Sequence, residues 1–416
     1  MSKTKPFTIS KHLVMQAYEQ VESNAGSAGI DKQSLAEFRE NLKDNLYKIW
    51  NRLSSGSYMP PAVKAVPIPK KSGGKRILGI PTVADRVAQT TIKLLLEPKL
   101  EPIFHQDSYG YRPNRSAIDA VGVTRKRCWK YNWLLEFDIK GAFDNLSHDL
   151  QMKAVKHHTE DRMILLYVER WLKAPLETVS GEQIERTKGV PQGSIIGPLL
   201  MNLFMHYAFD MWMGRTHRKN PFARYADDAV IHCTTREEAE RLKESLQLRL
   251  KECGLELHPE KTRIVYCKDG SRKGKYKNKS FDFLGYTFRP RKAKNTKLNC
   301  IFVNFSPGVS KAAIKTMCQK TRKSGLRNRT ELSLKQIANW WNPILGGWLN
   351  YYGAYYKSGM YPVLRHFNKT LVAWAMRKYK RLNGHKTRTS KWLEKISKEN
   401  PGLFVHWRQG MVGGFA

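Results

Sequence analysis

The feature that most constrains the fold is a pair of adjacent aspartates, Asp227 and Asp228, between two apolar segments with strand-like composition. Aspartate is common in turns because its side chain bonds nearby backbone amides, so the pair alone predicts a solvated hairpin tip. A further apolar strand, residues 133–139, carries Asp138 near its end. Three carboxylates gathered from these segments would suit two Mg²⁺ ions about 3.5–4 Å apart. The sequence therefore predicts a two-metal site for in-line phosphoryl transfer.

The charge of the chain indicates the class of partner. The 416 residues carry a formal net charge of +37, and residues 261–416 contribute most of it, with 34 Lys and Arg against 5 Asp and Glu. A surface this basic repels itself unless a polyanion neutralises it, so nucleic acid is the predicted partner. No apolar run approaches the roughly 18 residues that span a bilayer, and residues 1–20 lack the apolar core of a secretion signal. We therefore expect a cytoplasmic protein with no membrane partner.

The six cysteines are scattered, without any Cys-x-x-Cys pair. This spacing argues against a structural zinc site and against a framework of disulfides. No module rich in cysteine and histidine is readable near the C-terminus, so we expect no nuclease of that type in this chain.

Hydrophobic periodicity predicts a mixture of helices and antiparallel strands. Residues 8–55 have helical spacing, and two strand-like arms at 63–70 and 75–81 flank a Gly-Gly turn that is typical of a hairpin. The strand at 133–139 and an amphipathic helix at 236–253 follow. We therefore predict an α+β fold with helices on one face of an antiparallel sheet.

Several basic or polar side chains stand where phosphates would be bound. The 63–81 hairpin carries Lys70 and Arg76, whose charges would ordinarily be solvated but would clamp a triphosphate beside a metal centre. A Pro-Gln-Gly sequence that opens an apolar helix puts Gln192 beside free backbone amides, which suits nucleotide binding. Lys261 lies at a turn into a strand, where a surface lysine is the commoner outcome and protonation of a leaving pyrophosphate is the functional alternative.

Two other regions have the composition of nucleic-acid contacts. The loop at 107–115 mixes aromatic residues with arginines, a pattern also common in ordinary packing. Residues 362–382 predict a helix with an apolar stripe on one side and lysines and arginines on the rest, which fits a helix lying along a duplex backbone. The aromatic stretch at 340–356 more often indicates packing between helices.

Five motifs in this order resemble the palm and fingers of reverse transcriptases, most nearly the bacterial type encoded by group II introns. They are Phe-Asp-Ile-Lys-Gly-Ala-Phe at 137–143, Val-Pro-Gln-Gly at 190–193, Tyr-Ala-Asp-Asp at 225–228, Gly-Leu through Glu-Lys at 254–261, and Phe-Leu-Gly-Tyr at 283–286. Upstream segments at 26–31, 69–81 and 109–114 resemble the same family's amino-terminal extension and fingers. The likeness covers nearly the whole chain from about residue 10.

The resemblance implies a right-hand-like polymerase with fingers and palm, followed by a helical thumb. The implied domains are an N-terminal helical extension at 1–60, fingers and palm at 61–290, a basic helical thumb or maturase domain at 291–384, and a short DNA-binding tail at 385–416. The HNH nuclease that some members carry is absent from this sequence, so we do not expect cleavage of the second target strand.

The resemblance also implies roles for individual residues. Asp138, Asp227 and Asp228 are expected to be catalytic and, with Ile139, to hold two Mg²⁺ ions. The expected nucleotide-binding residues are Lys70, Arg76, Phe143, Gln192 and Lys261. The ring of Phe143 would lie beneath the incoming sugar and leave no room for a 2′ hydroxyl. The expected template- and primer-binding residues are Arg112, Arg115, Tyr225, Leu284, Gly285, Arg377, Lys378 and Arg381.

The sequence departs from the family in one loop. Ser194 replaces the usual second glycine after Pro-Gln-Gly, and Gly197 stands where serine is common. Because the three aspartates are present, this departure does not indicate inactivation, and we expect it to alter nucleotide preference or template handling.

The expected function is RNA-directed DNA synthesis from dNTPs, with an RNA template that is group II intron RNA, and with a DNA primer or target. The resemblance also implies assistance to intron splicing and mobility, and it allows a homodimer. Two alternatives stay open: a maturase that acts mainly by binding RNA, and a free-standing relative adopted by its host for DNA repair or phage defence.

Overall fold

A computed structural model describes residues 5–69, 74–295 and 299–415. The helices are α1 (Lys11–Asn24), α2 (Leu35–Glu40), α3 (Leu42–Ser55), α4 (Val83–Leu100), α5 (Ala117–Lys130), α6 (Ala142–Asn145), α7 (His148–His158), α8 (Arg162–Lys173), α9 (Gly197–Met205), α10 (Met211–Thr216), α11 (Arg236–Glu252), α12 (Lys311–Lys323), α13 (Leu334–Tyr352), α14 (Tyr361–Lys378), α15 (Lys386–Glu399) and α16 (Val405–Arg408). The strands are β1 (Val63–Pro69), β2 (Lys75–Ile80), β3 (Trp133–Phe137), β4 (Leu176–Glu177), β5 (Gln183–Ile184), β6 (Phe222–Tyr225), β7 (Asp228–Cys233), β8 (Arg263–Tyr266), β9 (Phe281–Phe283), β10 (Tyr286–Asn295) and β11 (Cys300–Val309).

The chain folds as two compact units. The first comprises residues 1–116 and 135–263, and the second comprises residues 117–134 and 264–416. Helix α5 belongs to the second unit because it packs on β11, where the indole N–H of Trp129 donates to the carbonyl of Phe305 at 2.9 Å. The second unit thus includes residues 117–134 and 264–290, which precede the thumb predicted to start at residue 291. The division into extension, fingers and palm, thumb and tail stays a prediction.

The basic hairpin predicted between residues 63 and 81 is present in the first unit. Strands β1 and β2 pair antiparallel, from Lys64 opposite Ile80 to Pro69 opposite Lys75, and residues 70–73 lie outside the described part of the chain. The short strand β4 lies parallel to β1 and pairs with β5, which gives the sheet order β2–β1–β4–β5.

The hairpin predicted around the adjacent aspartates is also present. Strands β6 and β7 pair antiparallel, with Tyr225 opposite Asp228, and the sheet has the order β6–β7–β3–β8. Helix α11 packs on β7, and the side chains of the apolar helix α9 are almost all buried. The predicted α+β class, with antiparallel sheets and helices, is therefore confirmed.

The second unit contains a three-stranded sheet with the order β11–β10–β9. Residues 281–288 have a strand-like composition throughout, but they form two strands joined by a tight turn. Leu284 and Gly285 take the positive φ values of 51° and 78° that let the chain reverse, so Phe283 pairs with Tyr286. Alternation of apolar residues alone does not reveal such a turn, because its sequence contains a single glycine.

Helices α12 to α16 enclose the core of the second unit. Trp341 of the aromatic stretch is almost completely buried there, and Trp348 and Tyr352 are partly buried against the same core, so much of the stretch serves packing between helices, whereas Trp340 is exposed. The amide of Asn368 donates to the carbonyl of Gly413 at 2.9 Å, and its Oδ1 lies 2.8 Å from His406 Nε2. The end of the predicted DNA-binding tail is therefore part of this core.

None of the helices in the described part of the chain combines the length and the apolar composition that crossing a membrane requires.

Candidate active site

The β6–β7 turn fixes the positions of the adjacent aspartates. Ala226 has φ = 57°, which allows a two-residue turn between Tyr225 and Asp228. The side chain of Asp227 is half-buried and that of Asp228 is exposed. Gly110 approaches this turn so closely that a Cβ there would lie 2.5 Å from the backbone nitrogen of Ala226. Only glycine permits this contact, in which the backbone of residue 110 packs against the turn.

Residues 107–109 lie beside β6 and form hydrogen bonds with it as a short parallel strand would. The amide of Tyr109 donates to the carbonyl of Arg224 at 2.8 Å, and the amide of Arg224 donates to the carbonyl of Asp107 at 2.9 Å. The rings of Tyr111 and Tyr225 lie 5.9 Å apart between centroids. Tyr225, predicted to touch template or primer, thus has an aromatic neighbour on the exposed side of the hairpin.

Asp138 follows β3 and is held by residues from the segment before β8. Its carbonyl accepts from the amide of His258 at 2.8 Å, and the buried Ile139 forms a bridge with Leu257. The chain then turns, so that the ammonium group of Lys261 contacts the carboxylate Oδ2 of Asp138. The predicted lysine therefore lies at the carboxylate site rather than at a distant surface.

The environment raises the pKa of both hairpin carboxylates. Loss of hydration in the crowded site is the main cause of the raised pKa of Asp227, and the charge of Asp138 adds to it. Asp228 is exposed as a residue, but protein atoms surround its carboxylate, and the resulting loss of hydration, followed by the charges of Asp227 and Asp138, raises its pKa to about 7. The positive charge of Lys261 opposes both shifts. Strands β3 and β7 are neighbours in the sheet, so these charge effects indicate that the three carboxylates lie near one another.

The donor chemistry of this site fits Mg²⁺, although the site is not preformed. Three carboxylates that repel one another are the oxygen-only set that a hard divalent cation neutralises. Within the described residues, no group of three or more His, Cys, Asp and Glu side chains is arranged to hold a metal ion. The ammonium of Lys261 supplies positive charge at Asp138 instead.

Because the pKa of Asp228 is about 7, Mg²⁺ must compete with a proton there. We expect weaker Mg²⁺ binding at pH 6 than at pH 8, with protons released on binding. Affinity falls at low pH because Asp228 is protonated at pH values below its raised pKa, and a protonated carboxyl is a poor metal ligand. Titration calorimetry in two buffers of different ionisation enthalpy measures this release. An affinity equal at both pH values, with no proton release, would contradict the prediction.

An arginine that the sequence analysis did not single out anchors the hairpin. Arg224 is completely buried, and its guanidinium donates to Asp210 Oδ1 at 2.8 Å and Oδ2 at 2.6 Å. It also donates to Asn202 Oδ1 at 3.1 Å and to the carbonyl of Ala226 in the turn at 3.0 Å. The one available signal was an arginine inside an otherwise apolar strand, which requires a buried partner.

Phe143 and Gln192 lie on two segments that are hydrogen-bonded to each other. The amide of Val190 donates to the carbonyl of Phe143 at 2.7 Å. The side-chain amide of Gln192 lies 3.4 Å from both carboxylate oxygens of Asp144. The structure thus brings together the two residues that were predicted to bind the nucleotide from separate motifs.

Of the two predicted phosphate contacts on the basic hairpin, Arg76 lies within the described residues and is close to the carboxylates. Arg76 on β2 is exposed, and its positive charge partly opposes the rise in the pKa of Asp227 that burial causes. Lys70, the other predicted phosphate contact, lies outside the described residues.

The structure differs from the expectation for Arg112. This arginine is 9% exposed, and its guanidinium donates to Glu101 at 2.7 Å and to the carbonyls of His105 and Ser108, both at 2.7 Å. Its donors are therefore used within the loop and do not reach a nucleic-acid strand. Arg115 is exposed, 5.9 Å from the centre of the Tyr109 ring.

The other predicted template and primer contacts belong to the second unit. The carbonyl of Leu284 accepts from the hydroxyl of Tyr351 at 2.8 Å, which fixes the turn that also contains Gly285. Arg377 and Arg381 are exposed near the end of α14. Lys378 donates to the carbonyl of Thr330 at 2.7 Å, so its ammonium group is already engaged.

Comparison with known proteins gives two family matches. The family described as reverse transcriptase (RNA-dependent DNA polymerase) matches residues 68–288, just over half of the chain. The family described as group II intron, maturase-specific domain matches residues 314–392.

Individual proteins are also similar to this chain. Protein YkfC of Escherichia coli (strain K12) is 28% identical over 319 residues, which cover 67% of this chain and 80% of YkfC. The group II intron-encoded protein LtrA of Lactococcus lactis subsp. cremoris is 34% identical over 194 residues, which cover 46% of this chain and 32% of LtrA. A telomerase structure from Candida albicans aligns with a TM-score of 0.46 at 12% identity, covering 91% of this chain and 68% of that chain.

Proposed function

This chain belongs to the reverse transcriptase (RNA-dependent DNA polymerase) family, and we propose that it is an RNA-directed DNA polymerase of the group II intron type. It adds dNTPs to the 3′ end of a DNA primer on an RNA template. The observation that carries this proposal is that Asp138 follows β3 and Asp228 begins the neighbouring strand β7, and that the charge of Asp138 raises the pKa of both hairpin carboxylates. Lys261 borders the same site.

The carboxylates serve as the metal-binding part of the site. Asp138, Asp227 and Asp228, with the backbone of Ile139, would hold two Mg²⁺ ions, which when bound activate the primer hydroxyl and neutralise charge on the leaving pyrophosphate. The ammonium of Lys261 must leave Asp138 for this binding. It then stands beside the carboxylates as the proton donor to the departing pyrophosphate.

The remaining residues bind and orient the nucleotide. Arg76 is exposed yet close enough to affect the pKa of Asp227, which suits a contact with the triphosphate. The half-buried ring of Phe143 supports the sugar and leaves no room for a 2′ hydroxyl. Gln192, linked to Asp144 beside it, lines the pocket from the other segment. Lys70 is proposed as a second phosphate contact on the sequence resemblance alone.

The direct test of the proposed reaction is extension of a DNA primer on an RNA template with Mg²⁺ and the four dNTPs. We expect products that end at the 5′ end of the template and whose sequence follows the template. Addition of nucleotides without regard to template sequence would contradict the proposal. The same reaction with the four rNTPs should give little product, because Phe143 excludes the 2′ hydroxyl.

A second function, binding of intron RNA to assist splicing, is supported by the maturase-specific match at 314–392 and by the charge of residues 261–416. Exposed Arg365, Lys369, Arg377 and Arg381 lie on α14 or just after it, while the apolar side of this helix faces the core. The group II intron RNA as cognate partner, the DNA target, the homodimer and the cytoplasmic location stay predictions.

We predict that the affinity of the chain for RNA falls steeply with salt, because each phosphate contact releases counterions. Replacing Arg377 and Arg381 with glutamine should reduce the slope of log affinity against log salt concentration by about 0.7 for each charge on single-stranded RNA. Filter binding or fluorescence anisotropy over a salt series measures the slope.

The matched control for this prediction is Lys378→Gln on the same helix. Its ammonium group keeps its charge but is held by the carbonyl of Thr330 at 2.7 Å and is less free to approach a phosphate, so its removal should change the slope less than removing either arginine. A slope near zero for the unmodified chain would contradict the proposed role of this surface.

A further inference from the structure

The loop that follows Gln192 is held from within the protein by a single side chain of α4. Gln89 Oε1 accepts from the hydroxyl of Ser194 at 2.8 Å, from the amide of Ile195 at 2.8 Å and from the amide of Ile196 at 3.3 Å. Gln89 is 2% exposed and Ser194 is 5% exposed, so water does not replace these bonds.

A second buried group fixes the orientation of Gln89. Its side-chain nitrogen donates to Asp85 Oδ2 at 2.9 Å. Asp85 Oδ1 accepts from the hydroxyl of Tyr58 at 2.9 Å and from the indole N–H of Trp171 at 2.8 Å. Since the carboxylate accepts all three bonds, Gln89 must turn its nitrogen to Asp85 and its oxygen to the loop.

The other side of the loop has little side-chain packing. The carbonyl of Gln192 accepts from the amide of Gly79 on β2 at 2.7 Å. Gly193 has φ = 122°, and a Cβ there would lie 2.3 Å from the carbonyl oxygen of Gly79. Gly79, Gly193 and Ile195 also border a cavity of about 430 Å³. The loop is thus close to β2 at Gly193 and borders a cavity beside that contact, so the buried hydrogen bonds to Gln89 are needed to hold residues 194–196.

We propose that Gln89 and Ser194 are positioning residues that set the affinity for the incoming nucleotide by fixing the loop that carries Gln192. The proposal rests on the proposed function, because it concerns how the nucleotide pocket of that polymerase is held. Neither side chain touches substrate in this proposal. Their effect passes through the backbone of residues 191–196.

The same geometry couples Ser194 to Gly197. The amide of Gly197 donates to Ser194 Oγ at 3.2 Å. A Cβ at position 197 would lie 3.3 Å from the Cβ of Ser194 and 3.0 Å from Cγ1 of Val190. Side chains at both 194 and 197 would therefore crowd each other, whereas a serine at one position with a glycine at the other avoids this contact.

The first test is the KM for dNTP in single-nucleotide extension on an RNA template. Ser194→Ala removes the bonds of the hydroxyl to Gln89 and to the Gly197 amide, so it should raise this KM by at least about three- to tenfold, the effect of losing one buried hydrogen bond, and leave kcat nearly unchanged. Ser194→Thr keeps the hydroxyl and should restore the original KM. The matched control is Thr91→Val, a buried hydroxyl on α4 that bonds the carbonyl of Val87 within its own helix. Its KM should equal that of the unmodified chain.

The second test uses the coupled pair. Gly197→Ser should raise the KM by a larger factor in the unmodified chain than in the Ser194→Gly protein, because Ser194→Gly has already removed the Cβ that a side chain at 197 would crowd. Equal factors in the two backgrounds would overturn the coupling, and a KM for Ser194→Ala equal to that of Thr91→Val would overturn the proposal.

A third measurement does not depend on activity. Gln89→Leu removes the acceptor of the Ile195 and Ile196 amides, so hydrogen exchange at these amides should become faster than in the Thr91→Val protein. Unchanged exchange would overturn the positioning role whether or not the chain polymerises. An unmodified chain that makes no DNA, with exchange altered as expected, would instead reject the proposed function and keep the positioning role.

Discussion

Replacing Asp138 with asparagine should slow DNA synthesis by about a thousandfold or more while leaving RNA affinity unchanged. The carboxylate contributes charge to the proposed metal site, and the several kcal/mol that such ions supply correspond to this factor, at 1.36 kcal/mol for each tenfold change in rate. Single-turnover incorporation of one dNTP measures the rate, and binding of a labelled RNA measures the affinity.

The matched control is Glu136→Gln, two residues earlier on β3. Glu136 forms an ion pair with Arg263 at 2.8 Å and is outside the proposed ligand set, so its removal should have a small effect on the rate. Equal losses of rate in the two variants would contradict the assignment of Asp138. Loss of RNA binding together with synthesis in Asp138→Asn would indicate a structural role for the carboxylate.

Replacing Arg224 with methionine should lower the free energy of unfolding by about 3–5 kcal/mol, because it leaves the carboxylate of Asp210 buried and unpaired. The side chains of both residues are at most 1% exposed, so water cannot solvate the remaining charge. The bond from Arg224 to Ala226 is lost as well, and we expect reduced polymerase activity from the displaced turn. Chemical denaturation measures the stability.

The double variant Arg224→Met/Asp210→Leu shows whether the loss of stability comes from the unpaired charge of Asp210 or from the altered packing at position 224. Since replacing both partners of a buried pair by apolar residues is often neutral, the double variant should be more stable than Arg224→Met alone. A double variant that is less stable by the sum of the two single effects would contradict the buried-charge explanation.

Local patterns in the sequence were sufficient to predict the elements that carry the carboxylates. The apolar arms around Asp227 and Asp228 and the apolar run before Asp138 specify a hairpin and a buried strand through their own composition. The Gly-Gly turn specified the basic hairpin in the same way. Placing these elements in one site required the resemblance to a family, because strand order depends on contacts distant in sequence.

Side chains whose partners are distant in sequence could not be assigned from the sequence. Arg112 was predicted to bind nucleic acid because it lies in an aromatic loop, but its partner Glu101 places it inside the protein. Gln89 has no local pattern that marks it, since its bonds reach residues 105 to 107 positions away. The turn at Leu284 and Gly285 is not readable from the sequence, because strand-like composition continues through it.

The most direct measurement of the central claim is Mg²⁺-dependent extension of a DNA primer on an RNA template by the unmodified chain, beside the Asp227→Ala/Asp228→Ala protein. Both proteins should bind the primer–template equally at the same salt concentration. We expect template-directed DNA from the unmodified chain alone. Equal synthesis by both proteins, or none by either while RNA binding is tight, would contradict the claim that these carboxylates catalyse RNA-directed DNA synthesis.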